Sequence, residues 1–180
     1  MVDASARLAC LRPMTVADLD SILKLRNHPE IRRYMFTRHE ISLQEHYSWF
    51  ERASTNADIE LLVFEVDKQC CGFVQFKQTS YSGVLDWGFY AAPDAAKGTG
   101  RKLGLAALAY VFKKENVYKI CGQALHWNQP SINLHKSLGF VQEGILRDQY
   151  FDGTHYHNLV CFGLLKREWL VHEPSIGINK

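Results

Sequence analysis

Three apolar runs, each closed by a short polar turn, constrain this chain more than any other feature. Glu60–Val66 passes through Asp67-Lys68-Gln69 into Cys71–Phe76, and Val84–Tyr90 follows the Ser82-Gly83 turn. Runs of this length, rich in Val, Phe and Tyr and bounded by Asp, Ser and Gly, read as strands of an antiparallel meander. Upstream, Leu8–Arg12 reads as a short strand closed by Pro13. Thr15 then caps a helix with Asp18 in the capping-box position, and its stripe of Leu19, Ile22, Leu23 and Leu25 ends before Pro29. Ser42 and Glu45 form a second capping box, opening a helix that carries Tyr47, Trp49 and Phe50.

Downstream, Pro93 breaks the sheet before a long apolar helix from Thr99 to Lys114. Val117–Leu125 reads as a strand, and Pro130–Ser137 as a short helix stopped by Gly139. Phe140–Phe151 and Thr154–Leu164 pair across Asp152-Gly153, a strong hairpin signal. The order is β-α-α-β-β-β-α-β-α-β-β, a mixed α/β (α+β) chain with about seven strands, largely antiparallel, and about four helices. No repeat or linker interrupts it, so 1–180 is expected to be one domain, with a core over 8–169 and a tail over 170–180.

Composition removes several classes of function. Hydrophobic residues make up 47% of the chain, which excludes disorder, and 21 basic against 19 acidic residues leave a net charge of only +2. No basic face for nucleic acid follows from that balance. The five cysteines include the adjacent Cys70 and Cys71 and form no C-x-x-C pair, which points to a reducing cytoplasm and no metal. The N-terminal residues lack an apolar signal core, and no stretch is long and apolar enough to span a membrane. His155 and His157 share a strand face, but no third metal ligand lies nearby in sequence.

Two motifs carry chemistry. Lys97-Gly98-Thr99-Gly100-Arg101-Lys102 lies where a loop enters a helix. Glycines permit a tight turn there, first-turn N–H groups lack helical partners, and the helix dipole favours negative charge. Arg101 and Lys102 place cations at an end that ordinarily prefers acids, which makes sense if an anion docks. The plain alternative is a glycine-rich loop with solvated basic residues. The second motif is Asn128-Gln129-Pro130-Ser131-Ile132-Asn133-Leu134-His135-Lys136-Ser137-Leu138-Gly139-Phe140. Asn128 suits the helix cap, Pro130 its first turn and Gly139 its exit.

Together these motifs resemble the GCN5-related N-acetyltransferase superfamily over Leu8 to Trp169. The resemblance implies that the glycine turn holds the pyrophosphate of acetyl-CoA as co-substrate, through Lys97, Gly98, Thr99, Gly100, Arg101 and Lys102. Ala95 departs from the Arg or Gln usual in that loop. The backbone of Gly88 to Ala91, including Phe89, Tyr90 and Ala91, would hydrogen-bond the pantetheine arm where Trp87–Tyr90 splays from Tyr118–Cys121. Asn128 and Ser131 would complete the coenzyme site. His135 stands where many members carry a tyrosine that protonates the departing thiolate; the alternative for it is packing. Asp86 and Glu65 are carboxylate candidates for deprotonating the amine.

On the acceptor side, Leu25-Arg26-Asn27-His28-Pro29, Tyr34-Met35, Ile41–His46 and Trp49-Phe50 look like the enzymes of pseudaminic acid biosynthesis. Those acetylate the 4-amino group of UDP-4-amino-4,6-dideoxy-N-acetyl-beta-L-altrosamine, for flagellin glycosylation in bacteria. This closer resemblance implies that Arg26, Asn27, His28, Tyr34, Met35, Trp49 and Lys77 bind a UDP-amino-sugar, with Arg32 or Arg33 assisting at the diphosphate. Read without it, Arg26-Asn27-His28 is helix-end chemistry. The resemblance also allows a homodimer. The alternatives are an N-terminal acetyltransferase of the ribosomal-protein type, a polyamine acetyltransferase, or a non-catalytic acyl-CoA sensor.

Overall fold

The computed structural model describes residues 9–172; Leu8, which opens the first predicted strand, and the tail from residue 173 lie outside the described residues. Seven strands form one sheet: β1 (Ala9–Pro13), β2 (Ile59–Val66), β3 (Gln69–Gln78), β4 (Val84–Ala91), β5 (Lys119–Leu125), β6 (Val141–Phe151) and β7 (Tyr156–Leu165). Their spatial order is β1-β2-β3-β4-β5-β7-β6. Pairing is antiparallel for β1 with β2, β5 with β7 and β6 with β7, and parallel for β4 with β5. The helices are α1 (Leu19–Asn27), α2 (Pro29–Arg32), α3 (Leu43–Ser54), α4 (Thr99–Phe112), α5 (Gln129–Ser137) and α6 (Lys166–His172), with a 3-10 turn at Val16–Asp18.

Local chemistry accounts for most boundaries. Thr15 and Asp18 close the predicted capping box before α1. At α3 only half of the expected box forms: the Ser42 hydroxyl accepts the Glu45 N–H at 3.2 Å, while the Glu45 carboxylate meets His39 Nε2 at 3.1 Å instead. Pro29, expected only to stop a helix, also starts one, because its fixed φ suits the first position of α2. The Asp152-Gly153 turn closes as expected, with Asp152 Oδ1 accepting the N–H groups of Thr154 and His155 at 2.8 Å each. Helix α6 is an addition to the sequence reading; its Glu168 accepts the Leu165 N–H at 2.9 Å, and its Trp169 is buried against Phe112.

The chain divides into two compact units, one of residues up to Phe76 with Gly88–Ala107, the other of Lys77–Trp87 with residues from Leu108 onward. In the first, Met14, Leu19, Ile22, Phe50, Ala53, Leu61, Val63 and Phe73 form the core. Beside it Arg12 pairs with Asp18 at 2.7 Å and with Glu65 at 2.5 Å. In the second, Ile120, Leu125, Leu138, Phe162, Leu164 and Trp169 are fully buried. There the β6–β7 ladder slips between Leu146↔Leu159 and Tyr150↔His157, with Asp148 at φ 50° bonded to the Asn158 side chain at 2.9 Å.

Candidate active site

The glycine turn sits at the start of α4. Gly98 adopts φ 91°, a left-handed conformation that side chains disfavour. Its carbonyl accepts the Lys102 N–H at 3.0 Å, which makes Gly98 the cap and starts the helix at Thr99. Thr99 is buried and its hydroxyl donates to the Ala96 carbonyl at 2.6 Å, locking the turn. Lys97, Arg101 and Lys102 all stay exposed. The Thr99 N–H is taken by the Ala96 carbonyl at 3.0 Å; the other first-turn N–H groups, three exposed cations and the dipole of a 14-residue helix are the features that suit a phosphate-bearing ligand.

At the other predicted motif, Asn128 caps α5 by accepting the Ser131 N–H at 3.1 Å. One turn later His135 is 1% exposed. The Trp87 indole N–H donates to its Nε2 at 3.1 Å, so its proton sits on Nδ1 and is donated to the Ser131 carbonyl at 2.8 Å. The ring stacks on Phe162 at 4.6 Å, and burial holds its pKa down at about 4. Gly122 is what makes room: a Cβ there would lie 2.3 Å from His135 Nε2 and 2.7 Å from Trp87 Nε1. These surroundings are those of the packing alternative read for His135. The imidazole is neutral and enclosed, and its single N–H serves the Ser131 carbonyl.

The carboxylates separate clearly. Glu65 is held below its usual range by Arg12 and belongs to the ion pair beside the first core, so it is not a free base. Asp86 stays exposed at the end of the β4–β5 ladder, and the surrounding protein raises its carboxyl while Lys77 opposes the shift. That ladder pairs Val84, Leu85 and Asp86 with Lys119, Ile120 and Cys121, and its register stops at Asp86, one residue before the Trp87–Tyr90 stretch expected to splay from β5.

In the first unit a cleft of about 330 Å³ is walled by Arg26, Thr37, Ile41, Glu45, His46, Trp49, Arg52, Phe73, Gln75 and Tyr90. Of the expected acceptor residues, Arg26 and Trp49 reach it, and Tyr90, expected on the coenzyme side, lines it too. Asn27 does something else. Its side chain donates to the Ile41 carbonyl and accepts the Ile41 N–H, both at 2.8 Å, pinning the loop that forms part of the wall. Arg26 Nη2 fastens the same loop through the Thr37 carbonyl at 2.9 Å. His28 caps α2 by accepting the Glu30 N–H, and Tyr34 lies under the Arg33 guanidinium at 4.8 Å; neither these nor Met35 and Lys77 line the cleft.

His46, Phe73 and Gln75 are cleft residues that were not expected as site residues. His46 stands in the sequence array read above, but nothing in its spacing marks it as buried. It is 4% exposed and stacks against Trp49 at 5.1 Å. Trp49 in turn meets Phe73 edge-on, and Phe73 stacks on Tyr90 at 5.3 Å. Burial raises the Tyr90 phenol, which keeps it protonated and a hydrogen-bond donor.

Residues 9–141 match the acetyltransferase (GNAT) domain family. This chain belongs to that family. Spermidine N-acetyltransferase from Vibrio cholerae, solved in complex with CoA and spermine, superimposes with a TM-score of 0.82 at 26% identity, over 90% of this GNAT chain and 98% of that one. An uncharacterized N-acetyltransferase, YokL, of Bacillus subtilis is 28% identical over 90% of each chain. Acetyltransferase PseH of Campylobacter jejuni is 25% identical over 74% of this chain and 83% of its own. The GNAT chain described here is an acetyl-CoA-dependent N-acetyltransferase. Its resemblance to the PseH type is distant, and spermidine acetyltransferases match at least as well.

Proposed function

We propose that the acceptor is the amino group of a UDP-linked amino-dideoxy sugar, of the kind acetylated in pseudaminic acid biosynthesis. The observation that carries this reading is the charge of the cleft: Arg26 and Arg52 line it against the single carboxylate of Glu45. A polyamine brings several ammonium groups and is repelled by two guanidiniums, whereas a nucleotide diphosphate is attracted to them. Trp49, Phe73 and Tyr90 offer the flat apolar faces on which a base or sugar packs. The polyamine reading is the alternative, favoured by the spermidine acetyltransferase relatives and by Glu45.

In this reading the turn at Gly98–Lys102 holds the coenzyme pyrophosphate, and the backbone of Phe89–Ala91 pairs with the pantetheine arm. The neutral amine attacks the thioester carbonyl, the C–S bond breaks, and coenzyme A leaves as the thiolate. The amine gives up its proton to water. The thiolate takes its proton from solvent rather than from His135. Asn128 and Ser131 hold the α5 end in place for the coenzyme.

The deciding experiment compares coenzyme A release with the UDP-amino-sugar, spermidine and an N-terminal peptide as acceptors. Turnover of the nucleotide sugar at least tenfold above the others is expected; preference for spermidine or peptide replaces the reading. A Gly100→Trp variant is expected to lose acetyl-CoA binding while staying folded, and unchanged coenzyme affinity would remove the loop from the site.

A further inference from the structure

Among the described residues, two side-chain atoms are buried without a hydrogen-bond partner, Arg26 Nη1 and His46 Nε2. Both belong to residues that wall the same cleft. Leaving such atoms unpaired is costly, so two in residues of one cleft is a pattern to explain.

Their chemistry is complementary. Arg26 already gives Nη2 to the Thr37 carbonyl, and Nη1 remains a donor. His46 uses one ring nitrogen on the Leu19 carbonyl. Since Nε2 has no partner, the bonded nitrogen is Nδ1, which carries the proton, and Nε2 is left as a lone-pair acceptor. An incoming carboxylate or phosphate brings only acceptors: it satisfies Arg26 and repels the His46 lone pair. An ammonium group satisfies His46 and is repelled by Arg26. A neutral edge presenting a carbonyl beside an N–H satisfies both at once.

We infer that Arg26 and His46 together read the edge of a nucleobase, the guanidinium donating to a ring carbonyl and the imidazole accepting from the neighbouring ring N–H. This rests on the nucleotide-sugar reading, under which the base is uracil and the edge is O4 beside N3–H. A secondary acetamide does not serve, because its N–H and C=O point in opposite directions. Arg52, at the same cleft, is left for the diphosphate. Neither atom is exposed in the free protein, so a base that engages them displaces part of the cleft wall. The Trp49 ring, stacked on His46 at 5.1 Å, is the side chain placed to shift and then cover the base. Burial, with help from the charge of Arg26, holds His46 below its usual pKa and so keeps the lone pair available at neutral pH.

The test is calorimetric binding of UDP and N3-methyl-UDP to the full chain, which needs no amine acceptor. UDP is expected to bind at least tenfold more tightly, because methylation removes the N–H that His46 accepts. In His46→Ala the gap closes as UDP weakens; in His46→Gln, which restores an acceptor oxygen, the gap persists. Equal binding of the two nucleotides to the native protein overturns the base-reading role and leaves the nucleotide reading standing. Absence of binding to either, with brisk acetylation of spermidine, overturns the nucleotide reading and this inference with it.

Discussion

His135 and His46 are both almost fully buried, one in each compact unit, and burial holds both imidazoles below their usual pKa, yet their surroundings differ in kind. His135 accepts from Trp87, donates to Ser131 and lies flat on Phe162, so every polar atom of the ring is used. His46 donates to one carbonyl and keeps a nitrogen without a partner at the wall of a cleft. A buried polar side chain whose bonds are all made internally specifies a core; one left incomplete beside a cavity is a place for a ligand. The position that resemblance marks as catalytic thus belongs to the first kind, and a position that resemblance left without a role belongs to the second.

That contrast can be broken most forcefully at Gly122. A Gly122→Val substitution drives a side chain into the Trp87–His135 bond, and a loss of at least about 3 kcal/mol in urea unfolding is expected. A loss under about 1 kcal/mol would mean that the pair is not tightly enclosed. Acid offers the next test. His135 has a folded pKa of about 4 against about 6.5 unfolded, so the unfolded chain binds a proton that the native state refuses between these values. Stability is complete above pH 6.5 and falls as pH drops toward 4, by on the order of 3 kcal/mol. His135→Phe should flatten that slope. Asp18, held at about 2 first by its bond to Arg12, acts only lower: its contribution is present above about pH 4 and is lost as pH falls through 2.

His135→Ala comes next, at roughly 2–4 kcal/mol of stability through the cavity and the stranded Trp87 N–H. Turnover per folded molecule should stay within about twofold; a hundredfold loss at unchanged stability would restore the general acid. The smallest effect is expected at His46. His46→Leu should change stability by less than about 1 kcal/mol, because it removes an unsatisfied atom along with one hydrogen bond, while raising the KM for the acceptor amine. An equal loss of stability in the two histidine variants would erase the distinction between them.

The element order was legible because it depends on local signals. Ser42, Asn128 and the Asp152-Gly153 turn do what their side chains do in isolation, and the strands follow from runs of Val, Leu and Phe. Pro29 hid a helix start behind a helix stop, and α6 lacked the periodic length that marks a helix. The glycine turn was legible too, since the positive φ of Gly98 and the helix start at Thr99 are written in contiguous residues. The cleft lined by Arg26, His46 and Trp49 was only half legible. Its walls come from α1, α3, β3, β4 and the Thr37–Ile41 loop, and whether His46 turns inward or outward depends on packing among them. The grip of Asn27 on Ile41 was hidden for the same reason: an amide that holds a backbone fourteen residues away leaves no mark in spacing.

The grip of Arg26 and Asn27 on that loop has an evolutionary reach. Both side chains hold main-chain atoms, the Thr37 carbonyl and the two backbone groups of Ile41, and neither depends on what the loop residues carry. A loop anchored by its backbone can exchange its side chains freely while the wall stays in place. Successive variants of this segment could therefore sample new acceptors without first losing the old architecture, and a library randomised at Thr37 and Ile41 is the natural place to look for altered amine preference.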